Sequence, residues 1–352
     1  MIDSWCEYLK RARLGLLVCF SLLISCGEPP LHKAEFYVFG TLVEVSLSGV
    51  EESRADQAFS LLQERFQAMH RDWHAWEPGK LANINERFAR GMAAEADAEL
   101  VQLLGFSQKA EILTGGRFNP AIGKLIGLWG FHTSDFPVTG PSPSAVDIAA
   151  LVALHPSSLD IEIRAGQLHS SNRAVQLDFG AIAKGFAVDI AREALAGLGV
   201  HDAIVNAGGD LRAFGSRGTR PWRVAIRNPL GGALGVLEIN QDEAVFTSGN
   251  YERYRETENH DRFPHILDPR TGWPARQVMS ATVVANEGWL ADAAATALVV
   301  AGLSEWNEVT DAMELDLVLI VDEAGQIHAT PAMLDRLLLS ETQKPAITLR
   351  RQ

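Results

Sequence analysis

Lys184, His265 and the pair Asp292 and Thr296 are the residues of this chain best placed to do chemistry. Lys184 lies in Leu177-Asp178-Phe179-Gly180-Ala181-Ile182-Ala183-Lys184-Gly185, which reads as a strand end, a tight glycine turn and the first turn of a helix. Backbone N–H groups at a helix start lack intrahelical partners, and the helix dipole adds positive charge there, so the place suits a phosphate. Neither a P-loop string nor a Gly-x-Gly-x-x-Gly turn occurs in the chain. Gly197-Leu198-Gly199 comes nearest and is followed by Val200-His201-Asp202, without the third glycine. Asp292 and Thr296 are four residues apart on an expected helix and so share a face. Carboxylate and hydroxyl oxygens are hard ligands that suit Mg²⁺ or Ca²⁺ and are poor for zinc. Spacing alone favours a plainer reading, with a first-turn Asp placed by the helix dipole and a Thr facing the core. His265 precedes Ile266-Leu267-Asp268-Pro269-Arg270-Thr271-Gly272 and can take a proton from an attacking hydroxyl near neutral pH. A histidine bonded within a turn is the alternative. His70 and His74 have metal-compatible spacing but lack the His-Glu-x-x-His pattern, and read as ordinary surface or packing residues.

The elements that must position these groups follow from hydrophobic periodicity. Strands are expected over Glu35–Leu47, Ile161–Arg164, Gln167–Ser170, Ala174–Phe179, Ala203–Asn206, Trp222–Arg227, Leu234–Ile239, Ala244–Ser248 and Ser280–Ala285. Helices are expected over Ser53–Trp73, Glu99–Thr114, Ala181–Leu198, Gly288–Ala301 and Ser304–Met313. Leu317–Val321 and Gln326–Ala329 read as a hairpin. This mixture indicates an α+β or mixed α/β fold. Trp129, Trp222, Trp289 and Trp306 read as core. No repeat or low-complexity tract is present.

The Leu177–Asp189 segment resembles the core signature of the ApbE family of FAD:protein FMN transferases. Four further stretches agree in order: Asn206-Ala207-Gly208-Gly209-Asp210, Thr247-Ser248-Gly249-Asn250-Tyr251, His265 to Gly272, and Ala291-Asp292-Ala293-Ala294-Ala295-Thr296-Ala297. The likeness covers roughly residues 35–335. It implies a single catalytic domain built on a mostly antiparallel sheet with packed helices. It also implies Mg²⁺ held by Asp292, Thr296 and the main-chain carbonyl of Ala181, reversing the plainer reading of that pair. By the same resemblance, Asp178 and Ile266 contact the flavin nucleotide; Lys184, a candidate binding residue, could neutralise a phosphate or pair with a carboxylate. Arg117-Phe118-Asn119-Pro120 lines its site, Phe39 stands where the family has methionine, and Trp76 stands where it usually has tyrosine. An aromatic side chain at that place can stack on a planar ring. Some members carry a carboxylate at the Lys184 position, and the family often has aspartate at Asn119 and proline near Lys124. His265 becomes the candidate base, while Asp268 and Arg270 hold their turn together. The implied reaction moves FMN from FAD to a Thr or Ser hydroxyl of an acceptor flavoprotein, a subunit of a membrane redox complex, with release of AMP. A FAD pyrophosphatase giving FMN and AMP, and a non-catalytic flavin-binding lipoprotein, are the alternatives.

The N-terminus reads as a targeting segment. Lys10, Arg11 and Arg13 precede an apolar run from Leu14 to Ile24, which ends in the lipobox-like Leu23-Ile24-Ser25-Cys26. The expected organisation is a signal peptide over 1–25, a lipidated tether over 26–34, the catalytic domain over 35–340 and a tail over 341–352. Lipid on Cys26 would anchor the domain on the periplasmic side of a bacterial membrane, inner or outer. All three cysteines, Cys6, Cys19 and Cys26, lie at or before that site, so the mature domain would have no thiol chemistry. The formal net charge of −13 argues against nucleic-acid binding. An anionic ligand needs local cations or a metal to enter.

Overall fold

The computed structural model describes residues 28–133, 135–239 and 241–339, and the backbone of residues 347–349. The expected signal peptide and Cys26 lie outside the described residues. Nine strands form one sheet: β1 (Leu31–Val38), β2 (Thr41–Ser48), β3 (Ala203–Ala207), β4 (Asp210–Phe214), β5 (Glu243–Gly249), β6 (Val278–Ala285), β7 (Leu317–Asp322), β8 (Ile327–Ala329) and β9 (Ile347–Leu349). Their spatial order is their chain order. Every neighbouring pair is antiparallel except β8 and β9, which run parallel. The mostly antiparallel α+β expectation holds.

Side chains along a strand alternate between faces, and this sheet uses both. Phe246, Val283 and Ile320 enter the larger core on one face. Val245, Val284 and Leu319 enter a second core on the other. That second core is closed by a small sheet of Trp222–Arg227, Ala233–Ile239 and Leu338–Leu339. The described helices are α1 (Glu52–Trp73), α2 (Lys80–Ala89), α3 (Ala98–Leu113), α4 (Gly123–Trp129), α5 (Ala145–Val152), α6 (Ala183–Gly197), α7 (Gly288–Ala312) and α8 (Pro331–Arg336). The larger core lies between the sheet and α1, α6 and α7. The four tryptophans read as core are buried.

Three expectations are corrected. Glu35–Leu47 is not one strand but the hairpin β1–β2, because Phe39 (φ 55°) and Gly40 (φ 68°) form a two-residue turn. Left-handed values at both central residues match the twist of the flanking strands. Since β1 starts at Leu31, the folded domain begins inside the expected tether, and residues 347–349 of the expected tail pair with β8. Ala174–Phe179 forms no strand. It runs extended against residues 120–123, through Gln176 N–H to the Ala121 carbonyl (3.2 Å), Gly123 N–H to the Gln176 carbonyl (2.8 Å) and Asp178 N–H to the Pro120 carbonyl (2.8 Å). The two helices expected over 288–313 do meet at a break, where Gly302 adopts φ 64°. Sequence periodicity missed α2, α4, α5 and α8, all short.

The contact that matters most joins α6 to α7. A Cβ on Gly185 would overlap the Gly288 carbonyl oxygen and stand 2.8 Å from Asp292 Cβ. A Cβ on Gly288 would stand 2.5 Å from the Gly185 carbonyl oxygen. Two glycines therefore let the backbones touch. No side chain of its own caps α7 at Glu287. Asp189 of α6 does so instead, accepting from Gly288 N–H (2.7 Å) and Trp289 N–H (3.0 Å) while pairing with Arg212.

Gly185→Ala must push the helices apart, and overpacking of this kind costs about 1–3 kcal/mol. Gly197→Ala, at the far end of α6 with no atom near the new methyl, should instead be neutral or stabilising by about 0.4–1 kcal/mol. Urea denaturation of the two variants checks the opposite signs.

Candidate active site

The turn ahead of α6 is held from below. Asn85, buried in α2, donates to the Leu177 carbonyl (2.8 Å) and accepts from Leu177 N–H (2.7 Å). One oxygen of Asp178 accepts from Gly180 N–H (2.8 Å) and the other from the Trp76 indole N–H (2.9 Å). The Trp76 ring in turn lies against His132 at 5.1 Å. The chain then winds into α6 through the Ile182 and Ala183 N–H groups, both donating to the Phe179 carbonyl.

Gly185 N–H breaks the pattern. A helical bond would take it to the Ala181 carbonyl, four residues back. It donates instead to Oδ2 of Asp292 at 2.9 Å, and among the described residues no backbone donor takes the Ala181 carbonyl. One turn along α7, the Thr296 hydroxyl meets the Ser248 hydroxyl at 2.9 Å. Asp292 is buried, and burial pushes its carboxyl well above the ordinary carboxylate range, partly offset by the Lys184 charge. A carboxylate so placed calls for a cation. Among the described residues no three His, Cys, Asp or Glu side chains group closely enough to hold one. The donors here are mixed: one carboxylate, one hydroxyl and one main-chain carbonyl. These are hard oxygens of the kind Mg²⁺ takes, so the residues fit that ion.

Lys184 pairs with Asp210, whose second oxygen accepts from Thr247 N–H at 2.9 Å. Burial alone would lower the lysine pKa, but the charges of Asp210 and Asp292 outweigh it and hold the ammonium above its usual value. His265 is half-buried and ringed by protein while still facing the cavity. Its backbone N–H (3.1 Å) and its Nδ1 (3.2 Å) both meet the Arg253 carbonyl. A carbonyl only accepts, so Nδ1 carries the proton and Nε2 is the free base. Burial, with the Arg253 guanidinium, lowers its pKa to about 4.

All twelve residues expected on this domain line one cavity of about 640 Å³: Phe39, Trp76, Arg117, Phe118, Asn119, Asp178, Ala181, Lys184, His265, Ile266, Asp292 and Thr296. That volume lies within the range of small-molecule sites, roughly 300–1,000 Å³. Their local roles differ. Arg117 spends its guanidinium on Glu305 (2.9 Å), Glu308 (2.8 Å) and the Thr114 carbonyl (3.0 Å). Asn119 ties its own loop together, donating to the Pro156 carbonyl and accepting from Ala121 N–H. Phe118 and Ile266 are buried wall. Phe39 packs edge-on to Phe66 and His70. Asp268 and Arg270 do hold their turn, 2.9 Å apart. His70 and His74 also line the cavity, and His74 Nδ1 accepts from Trp76 and Glu77 N–H, a local packing role of the kind expected. Asp210, Ser248 and Arg253 also line it and were missed as site residues. Gly208 and Gly209, at φ 69° and 103°, mark the turn that presents Asp210. Ser248 stood within the quoted Thr247–Tyr251 stretch but was not singled out, and Arg253 carried no signal of type or spacing.

The ApbE family model matches residues 39–319. A FAD:protein FMN transferase of Rhodobacter capsulatus is 43% identical over 333 residues, covering 94% of this chain. The chain spans 63% of that relative's length. A FAD:protein FMN transferase of Haemophilus influenzae is 30% identical, covering 69% of this chain and 71% of its own. Among solved structures, the ApbE protein of Thermotoga maritima superposes with a TM-score of 0.79 at 28% identity, covering 88% of this chain and 99% of its own.

In the ligand-free protein the His265 imidazole should titrate near pH 4 by NMR, not near its ordinary 6.5. The unfolded chain then binds a proton between about pH 6.5 and 4 that the folded protein refuses, so the His265 contribution to stability falls as pH drops through that window. Denaturation of wild type and His265→Gln across it should show the wild type losing ground toward the acid side.

Proposed function

Because the chain belongs to the ApbE family, we propose that it is a magnesium-dependent FAD:protein FMN transferase. The observation that carries the reading is the diversion of Gly185 N–H to Asp292. It leaves the Ala181 carbonyl without its helical donor in the same cavity wall as Asp292 and Thr296. Those three would hold Mg²⁺, which when bound supplies positive charge for the pyrophosphate oxygens of FAD. Lys184, kept protonated by Asp210, brings a second positive charge to the same wall. Phe39, Trp76, Phe118 and Ile266 form the apolar walls for the flavin, with Trp76 fixed by Asp178.

The acceptor is a Thr or Ser hydroxyl of a flavoprotein subunit. His265 Nε2 takes the hydroxyl proton as the oxygen bonds to the phosphorus nearer riboflavin. The bridging P–O bond breaks, AMP leaves with that oxygen, and FMN stays on the acceptor as a phosphoester. At neutral pH the imidazole is already neutral, so its lone pair is ready. Protonation at acid pH would remove it. We further propose that Cys26 is lipidated after cleavage of residues 1–25, anchoring the enzyme on the periplasmic face of a membrane beside its acceptors.

The test is to incubate purified protein with FAD, Mg²⁺ and a candidate acceptor, and to look for covalent flavin on the acceptor. Flavin on the acceptor supports the reading; FMN and AMP released without it would make the protein a pyrophosphatase. His265→Ala should slow transfer by about 10²–10⁴-fold with FAD binding kept. Parallel losses of rate, binding and thermal stability would mark His265 as structural. Asp292→Ala should abolish turnover and weaken FAD binding in magnesium; full activity in that variant, or after chelation, would remove the metal. Intact mass of membrane-extracted protein checks the anchor, and a soluble form starting elsewhere than Cys26 would refute it.

A further inference from the structure

Among the described residues, four that carry a permanent positive charge line the cavity, and three are committed. Arg117 pairs with Glu305 and Glu308, Lys184 with Asp210, and Arg227 with Glu252. The fourth is Arg253. Among the described residues no carboxylate pairs with its guanidinium, which lies over the Phe136 ring, 5.7 Å from the centroid. Its charge acts on both His265 and Lys184, so it lies within electrostatic reach of the candidate base and of the lysine. Its own main chain fixes the His265 tautomer.

Arg253 is exposed to solvent, and in a chain of formal net charge −13 it is a cavity-lining cation with no carboxylate of its own among the described residues, free to meet an incoming anion. We infer that Arg253 binds the pyrophosphate of the dinucleotide substrate, next to the atom where His265 acts. This rests on the function proposed above and adds a binding residue to it. The guanidinium is a planar fork that suits two phosphate oxygens at once. The contact with the Phe136 ring, 5.7 Å from its centroid, restricts the guanidinium before substrate arrives, which reduces the ordering lost on binding. In the transfer step the same fork faces the oxygens that gain charge as the bridging bond breaks. Arg253 thereby couples two tasks through one residue: the side chain grips the anion, and the carbonyl aims the base at it.

The experiment is a fluorescence titration of wild type, Arg253→Gln and Arg253→Lys with FAD and with riboflavin, in Mg²⁺. Riboflavin carries the ring without phosphate and so reports the flavin wall alone. Arg253→Gln should weaken FAD binding by about 10–100-fold, the range of a lost hydrogen bond to a charged group, with riboflavin affinity unchanged. Arg253→Lys keeps the charge but not the fork and should recover part of the loss. Equal FAD affinity in wild type and Arg253→Gln would overturn the inference, as would parallel losses for FAD and riboflavin. A wild type that binds no FAD would overturn the proposed function itself, a different result from a wild type that binds FAD and a variant that binds it equally well.

Discussion

Two helices touch backbone to backbone at Gly185 and Gly288, and the site is built on that contact. Helices usually pack through side chains with axes 8–10 Å apart. Here neither residue has a Cβ, and none would fit. Asp189 locks the approach by capping α7 from α6, its part-buried charge answered by Arg212 and by the helix N-terminus. The consequence lies one turn into α7. Asp292 comes close enough to take Gly185 N–H, and the first carbonyl of the turn loses its helical partner. A local helical bond is given up, and an oxygen-lined corner appears in its place.

The charges around that corner are arranged in a chain. Thr247 N–H and Lys184 satisfy Asp210, while Lys184 also acts on Asp292, whose carboxylate receives, among the described residues, only the Gly185 N–H directly. Buried anions need partners, and this one is left short. Arg253 differs in being exposed to solvent, yet among the described residues no carboxylate pairs with its guanidinium. The cavity is thus under-neutralised at two places of opposite sign, which is what a metal-bound, doubly charged substrate would complete. His265 lies beside Arg253 and stays neutral because burial and that guanidinium both oppose its protonation.

Much of the fold was legible in the sequence where periodicity is long. The helices over 52–73, 98–113 and 183–197 and the strands over 203–207, 243–249, 278–285 and 317–322 match within a residue or two, while the central strand over 210–214 was not expected. The hairpin at Phe39 was not, because the apolar alternation runs straight through a turn that only Gly40 hints at. Ala174–Phe179 looks like a strand by composition, yet its partners are a loop and the side chain of Asn85, which no local pattern reveals. The site was legible through motif resemblance more than through chemistry. Asp292 and Thr296 alone read as an ordinary helix face, and Ala181 has no side chain that could announce a ligand. Asp210 stood at the end of a quoted motif but was not singled out, since its role depends on Lys184, 26 residues away. Arg253 becomes visible only when the other cations are seen to be paired.

The central claim is that the α6–α7 contact creates a divalent-cation site facing bound FAD. Crystals grown with FAD and Mn²⁺, a stand-in for Mg²⁺ with an anomalous signal, test it most directly. The account predicts one anomalous peak at about 2.1 Å from an Asp292 oxygen, the Thr296 hydroxyl and the Ala181 carbonyl, with pyrophosphate oxygens completing the shell. FAD bound in the cavity with the peak elsewhere, or with none, would contradict it.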